Sequence, residues 1–416
     1  MDAAIIAVGS EMLTPQRVDT DSLFLTGALN ARGVEVVIKL IAGDDRQRLV
    51  SAIRYALTEA QLLILTGGLG PTEDDLTRDA VAQYCGRPLV FSEEICAAIA
   101  RRFQRMNRTM AEINKRQAYI VEGAAVLANS NGTAPGMWVE HEGRHIILLP
   151  GPPRELQPLF ESQCLPRLDA LLPPRVIRTR FYRVAGMPES DLDQLIAPVY
   201  GKYTNPATTI LAAASDIQVH LRARCRTAEE AEALLNEVGT PIEKLLGDRL
   251  YSRNGDPLEA VIGEMLRGRG MKLAVAESCT GGMLAEKITS VAGSSDYFAG
   301  GFLTYTYEAK TSLLGISPEM LREHKAVSEP VALAMARAAL DRASASIAVS
   351  VTGVAGPGQG NETEPVGTIY VGVADRDGSL ARRFQFAGDR RRIRMLAVQT
   401  ALDMVRRRLT GSIAGA

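Results

Sequence analysis

Residues 271–282, Met-Lys-Leu-Ala-Val-Ala-Glu-Ser-Cys-Thr-Gly-Gly, set a short apolar run directly before small polar residues and two glycines. Leu273, Ala274, Val275 and Ala276 suit a buried strand, and Met283, Leu284, Lys287 and Ile288 then take helical spacing. Strand, tight turn and helix in that order commit this part of the chain to α/β architecture. The turn presents small nucleophilic side chains at the carboxyl end of a strand. The helix start that follows aims unpaired N–H groups at whatever binds there.

The same grammar recurs near the N-terminus. Ala4–Val8 reads as a strand ending in Gly9-Ser10-Glu11, and a helix from about Thr20 carries Leu23, Leu25 and Leu29. Residues 34–41 form a second strand, and a helix after Asp44-Asp45 carries Leu49, Ile53 and Leu57. Leu62–Leu65 is a third strand, and it opens into Thr66-Gly67-Gly68-Leu69-Gly70-Pro71-Thr72-Glu73-Asp74-Asp75. Alternating strands and helices imply right-handed crossovers and a mostly parallel sheet, with ligands at strand C-termini. The three glycines let a phosphate approach backbone N–H groups. The spacing is neither a Walker loop nor a GxGxxG fingerprint. Glu73, Asp74 and Asp75 offer hard oxygen ligands to Mg²⁺ or Mn²⁺; Asp74 and Asp75 also suit a helix cap. Asn129–Gly136 and Leu149–Glu155 are two further Gly/Pro turns, with Pro152-Pro153 suited to a first helical turn.

A chain of 416 residues suggests two or three domains. A formal net charge of −1 argues against binding nucleic acid through bulk charge. No apolar run approaches the ~18 residues of a membrane helix, and Met1-Asp2 leads straight into a strand without a basic leader. Cys85, Cys96, Cys164, Cys225 and Cys279 show no CxxC pairing, which fits a reducing cytoplasm.

The middle of the chain follows Leu171-Leu172-Pro173-Pro174, a linker by composition. Strands over 176–184, 208–214 and 217–223, with helices after Gly186 and Thr227, give a small βαββα layer.

In the last segment, strands are expected over 300–305, 347–351 and 366–374, the last of these as the final strand before a long helix. Ser278 needs an activating base, because a hydroxyl is a poor nucleophile at its free pKa. His141, His145, His220 and His324 lie in no turn of this segment that looks like a site, which argues against a Ser-His-Asp triad. Lys310 is the better base, by Ser-Lys logic. An amine of pKa ~10.4 is neutral at pH 7 only if its charged form is disfavoured by roughly 4 kcal/mol, which burial or a nearby cation supplies. Tyr305 could relay the proton or orient Lys310. The Gly281 and Gly282 amides and the Thr352-Gly353 turn could form an oxyanion hole. Ser278 also suits a helix N-cap, Lys310 a solvated helix position, Tyr305 a core position, and Gly356–Gly360 a plain loop.

Two sets of motifs carry a resemblance. Gly9-Ser10-Glu11, Asp19-Thr20, Thr66–Asp75 with Thr77, Asn131–Gly136 and Leu149–Glu155 together resemble the molybdopterin-binding, MoaB/MogA-like domain that begins proteins of the CinA family, the competence/damage-inducible proteins. Ala276–Gly282, Tyr305–Lys310, Val327-Ser328-Glu329, Val351–Pro357 and Pro365–Thr368 resemble the family's C-terminal nicotinamide mononucleotide deamidase domain. The resemblance implies a three-layer α/β domain over 1–170, a small KH-like α+β domain over 171–252 and an α/β deamidase domain over 253–416. The middle domain lacks the GxxG loop that clamps nucleic acid, so a spacer or dimerisation role is expected there, within a cytoplasmic homodimer.

The activity implied is hydrolysis of nicotinamide mononucleotide to nicotinic acid mononucleotide and ammonia, without a cofactor. Ser278 would be the nucleophile, activated by Tyr305 and Lys310. Glu277, Thr280, Gly281, Gly282, Thr352, Gly353 and Gly356 would line the substrate. The N-terminal domain is implied to split ADP-ribose with a divalent metal (Mg, Mn, Co or Ni), with K⁺ as a further candidate ion. Its metal groups would be Glu11, Asp74 and Asp75, with Gly67, Gly68, Gly70 and Thr72 at the substrate. Two positions depart from the family pattern, which more often has Asn at Asp21 and at Tyr307. A phenol at 307 would crowd or rewire the amide site. A chain keeping only the pyrophosphatase, or a nucleotide-binding scaffold without turnover, is the alternative.

Overall fold

The aliphatic runs become central strands because each is covered by helices on both faces. The structure is a computed structural model that describes residues 1–172, 175–212, 216–359 and 362–413. Pro173 and Pro174 of the expected linker, the last two residues of the strand expected over 208–214, and Gly360 lie outside the described residues. Two compact units form: Met1–Arg178 with Arg224–Glu232, and Thr179–Ala223 with Ala233–Ala416.

In the first unit β1 (Asp2–Val8), β2 (Glu35–Ala42) and β3 (Leu62–Thr66) run parallel. The short β4 (Leu89–Phe91) and β5 (Tyr119–Val121) pair with each other apart from that sheet. β6 (Ala125–Leu127), β7 (Gly136–His141) and β8 (Arg144–Leu149) complete it, in the order β2-β1-β3-β8-β7-β6. β8 lies parallel to β3, while β6 and β7 are antiparallel additions. Alternate residues feed two cores: Ala4, Ile6, Leu63 and Leu65 pack on one face, and Ala3, Ile5, Leu62 and Ile64 on the other. The parallel strands end together, so the turns after Val8, Thr66 and Leu149 meet at one edge.

The middle sheet has the order β10-β11-β9-β12, from β9 (Val176–Val184), β10 (Ala207–Ala212), β11 (Ile217–Cys225) and β12 (Leu250–Ser252). The last sheet is β14-β13-β15-β16-β17. Here β13 (Leu273–Glu277), β14 (Phe298–Leu303) and β15 (Ile347–Gly353) are parallel, and β16 (Thr368–Asp375) and β17 (Gly378–Gln385) antiparallel. Leu273 and Val275 face one core, and Ala274 and Ala276 face a tighter one beneath the helix Glu329–Arg342. Small side chains are needed there because a Cβ on Gly372 would stand 2.5 Å from Ala332 O. The strand expected over 366–374 is not the final one. β17 follows it, with Leu380 and Phe384 packed on the core, and its arginines and Gln385 obscured that alternation in the sequence.

Candidate active site in the last domain

Glu277 ends β13 and turns its carboxylate into the helix that follows. It is only 2% exposed and accepts from the N–H groups of Gly282 (2.9 Å), Leu284 (3.1 Å) and Ala285 (2.8 Å). Gly281 (φ 59) and Gly282 (φ 93) take the left-handed conformation that bends the chain sharply enough for this. The carboxylate therefore satisfies the otherwise orphan donors of the helix Met283–Thr289. Glu277→Ala leaves three donors without their acceptor and should cost about 3 kcal/mol or more, read as a fall in the urea midpoint. Glu277→Gln should recover part of that loss.

This turn holds Ser278, whose N–H donates to Val351 O on β15 at 3.0 Å. Lys310 reaches it from the helix Tyr307–Leu314, which Thr306 caps by accepting from Ala309 N–H. Lys310 Nζ stands 3.1 Å from Ser278 Oγ and donates to Thr304 O at 2.8 Å. The amine is 1% exposed. Burial pushes its pKa down from 10.5 to about 8, against the opposing pull of the Glu362 carboxylate. Cys279, next to the serine, is buried and its thiol is pushed up to about 12, so it stays protonated and inert. The long last helix, Arg390–Leu409, adds two cations at the rim. Arg390 donates to Gly356 O (2.8 Å) and Tyr305 OH (3.1 Å), and Arg394 to Thr280 O (2.5 Å). Arg394 Nε and Thr280 Oγ1 are buried with no partner among the described residues.

The first unit has its own cleft of about 610 Å³ at the edge where β1, β3 and β8 end. A Cβ on Gly67 would stand 2.4 Å from Val8 O, and one on Gly68 2.2 Å from Thr77 Oγ1, so only glycine fits at either position. Arg78 is buried and ties the loop down through Leu69 O (2.7 Å) and Gly70 O (2.8 Å). Asp74 is exposed, and a hydrogen bond from Thr72 holds its carboxyl below the usual range. Asp21 is 8% exposed, and its Oδ1 has no partner among the described residues. Burial, then Asp19, push its pKa up to about 6. Gln117 Oε1 lines the same cleft and is likewise buried without a partner.

Three family models match in tandem: the probable molybdopterin binding domain over 4–170, the damage-inducible protein CinA KH domain over 179–252, and the CinA C-terminal domain over 255–409. A CinA-like protein of Solibacter usitatus is 59% identical over 411 residues, which is 99% of each chain. The chain belongs to the CinA family. A putative competence-damage inducible protein of Caldicellulosiruptor bescii is 40% identical over 98% of this CinA chain and 99% of its own. The competence/damage inducible protein CihA of Agrobacterium tumefaciens has a solved structure, 41% identical, covering 37% of this chain and 93% of its own with a TM-score of 0.36. This CinA protein is thus a mixed α/β chain with a MogA-like first domain, a KH domain and a CinA C-terminal domain. Among the described residues, no helix is long and apolar enough to cross a membrane.

Within the CinA C-terminal domain the structure brings Ser278 and Lys310 together, and it corrects the expectations around them. Tyr305 does not orient Lys310: it is 56% exposed and bound to Arg390. The Gly281 and Gly282 amides are not free, because they donate to Ser278 O and Glu277 Oε2. Cys279 and Thr280 N–H meet no acceptor on another residue among the described residues. Glu277 faces the helix and not a ligand. The Thr352 hydroxyl is buried and donates to Ala326 O at 2.7 Å, and Gly353 allows close approach to Thr368 O; both shape the turn rather than offering donors. Tyr307 OH accepts from Ala326 N–H and donates to Glu362.

In the MogA-like domain Gly67, Gly68, Gly70 and Thr72 do line one cleft with Glu11, Asp74 and Asp75. Asp75, expected as a metal ligand, spends its carboxylate on Gly70 N–H and Thr72 N–H, each at 2.8 Å. No group of three or more His, Cys, Asp or Glu side chains converges to hold a metal among the described residues. Arg390, Arg394 and Glu362 are the neighbours of the serine site that sequence reasoning passed over or left unplaced. Of these, only Arg390 has a signal in the sequence: it opens the run Arg390-Arg391-Arg392 after Gly388-Asp389, a basic stretch that could reach a substrate phosphate.

Proposed function

We propose that the C-terminal domain hydrolyses the carboxamide of nicotinamide mononucleotide, with Ser278 as nucleophile and Lys310 as base. The observation that carries this is a lysine amine 1% exposed and 3.1 Å from a serine hydroxyl at the end of a strand. Neutral Lys310 takes the Ser278 Oγ proton as Oγ bonds to the amide carbon. The oxyanion that forms is stabilised by the Cys279 and Thr280 N–H groups, loop donors that meet no acceptor on another residue among the described residues. The C–N bond breaks, the Lys310 ammonium returns its proton to the departing nitrogen, and an ester remains on Ser278. Water, deprotonated by Lys310, attacks that ester; the acyl C–Oγ bond breaks, the Lys310 ammonium returns the proton to Ser278 Oγ, and nicotinic acid mononucleotide leaves. Arg390 and Arg394 supply the positive charge that a nucleotide phosphate needs beside the reacting amide. The reaction consumes one water and needs no metal.

The test is a pH profile in excess EDTA. Because the base works as the neutral amine, kcat/KM for ammonia release should climb as pH rises through about 8 and level off above it. A profile flat from pH 6 to 10 contradicts Lys310 as the base.

A second reaction, cleavage of the ADP-ribose pyrophosphate, is proposed for the N-terminal cleft. It is favoured by the buried, unpartnered Asp21 Oδ1 that lines this cleft. That oxygen, in a cleft also lined by Glu11 and Asp74, would be one protein ligand of a divalent ion that keeps most of its shell as water and phosphate oxygens. When bound, the ion offsets the pyrophosphate charge. The glycine loop, held by Arg78 and Asp75, keeps its backbone close to the substrate. Chelator should abolish ADP-ribose cleavage and leave ammonia release intact; loss of both together would contradict two independent sites.

A further inference from the structure

Tyr307 and Lys310 lie three residues apart on one helix, so their side chains leave the same face one turn apart. Tyr307 OH accepts from Ala326 N–H and donates to Glu362 Oε1, both at 3.2 Å. Glu362 Oε2 accepts from Val327 N–H, also at 3.2 Å. The carboxylate is therefore held from two sides. The phenol stays a donor, because burial raises its pKa. The turn that carries Ala326 is tied in its place as well, since Ala326 O accepts from Thr352 Oγ1. Thr352 follows Val351, the residue whose carbonyl positions Ser278 N–H. One connected set of bonds thus fixes both the serine and the carboxylate.

We infer that Glu362, held by Tyr307 and the Val327 N–H, is a positioning residue that sets the charge state of Lys310. The inference rests on the Ser278–Lys310 reading above. Cys279 stays protonated, and Arg390 and Arg394 reach Tyr305 and the Thr280 carbonyl from the last helix. Glu277 is spent on its helix, and Glu308 is exposed with its carboxyl held down by its own backbone N–H and then by Thr306. Glu362 is the carboxylate that opposes the burial of the amine. Without it, burial would leave Lys310 a poorer base. The reaction asks more of this amine than neutrality. It must take a proton from Ser278 and hand it to the leaving nitrogen, which is best done by a group poised near the working pH.

The test uses the full chain labelled with [13Cε]lysine, with the Lys310 signal identified by its absence in Lys310→Arg. Glu362→Gln keeps the size and the acceptor oxygen but removes the charge. The Lys310 midpoint should fall by about half a pH unit or more, and the acid limb of ammonia release should move down with it. Tyr307→Phe keeps the charge and removes one tether, so its shift should be in the same direction and smaller. A midpoint unchanged in both variants overturns the inference, as does a rise in Glu362→Gln. The NMR titration needs no turnover. A wild-type protein that releases no ammonia would therefore count against the amidase reading, while the midpoints still decide the role of Glu362.

Discussion

Ser278→Ala should lower ammonia release from nicotinamide mononucleotide by about 10³-fold or more while leaving the protein folded. The substitution removes one hydroxyl from a turn whose geometry is set by other groups. The Ser278 N–H still reaches Val351 O, Glu277 still caps its helix, and Gly281 and Gly282 keep their left-handed bend. Lys310 loses its 3.1 Å neighbour but keeps Thr304 O. Above pH 8, where Lys310 is neutral, a single hydrogen bond of this kind is worth about 1 kcal/mol, so the thermal midpoint there should move little. No nearby group can take over. Cys279 is buried with a thiol pushed up to about 12, and Thr280 carries a fully buried hydroxyl. Residual turnover would come only from substrate binding and from the free loop N–H groups. Parallel assays of ammonia release and thermal unfolding separate loss of the nucleophile from loss of the fold.

Lys310→Met should abolish turnover to a similar degree and also change how stability depends on pH. In the unfolded chain a lysine titrates near its ordinary 10.5, whereas burial brings it to about 8 in the folded protein. Below pH 8 both states carry the charge, and the folded state bears a cost of about 3 kcal/mol for it. Between 8 and 10.5 the unfolded chain binds the proton more readily, so wild-type stability should rise with pH across that window relative to the methionine variant. Methionine removes the charge but leaves Thr304 O without its donor, a loss of about 1–3 kcal/mol. At pH 7 the two effects oppose, and the variant should be about as stable as wild type or more so. Urea unfolding at pH 7 and pH 10 reads this directly. A stability difference that does not change between the two pH values would contradict a buried, depressed lysine. A site that holds such a residue against its own stability is one where function has set the choice.

The pairing of Ser278 with Lys310 was legible because the turn after β13 and the helix after β14 follow two parallel strands of one sheet. Strand, turn and helix could be read from local periodicity. Partners that arrive from far along the chain could not be placed. Arg390 meets Tyr305 across 85 residues and Arg394 meets Thr280 across 114; an arginine run on a helix does not say which turn it will cover. Local chemistry misled in a different way at the glycines. Two consecutive glycine amides beside a serine suggested an oxyanion hole, but the preceding Glu277 claims one and the Ser278 carbonyl the other. The same happened at Asp75, a carboxylate read as a free ligand that instead closes its own loop through Gly70 and Thr72. Such short acidic and glycine-rich stretches look the same in sequence whether the carboxylate faces the ligand or the backbone. Tyr307 stood out as a departure, and only the fold could show that it binds Glu362 and the turn at Ala326. β17 was missed because arginines interrupt its apolar alternation, although Leu380 and Phe384 pack inward.

The most direct test is ammonia release from nicotinamide mononucleotide by the purified full chain in excess EDTA, followed to nicotinic acid mononucleotide as product. Stoichiometric formation of ammonia and acid, rising through about pH 8 and absent in Ser278→Ala, is the predicted result. Folded protein that forms neither product at any pH between 6 and 10 would contradict the amidase reading.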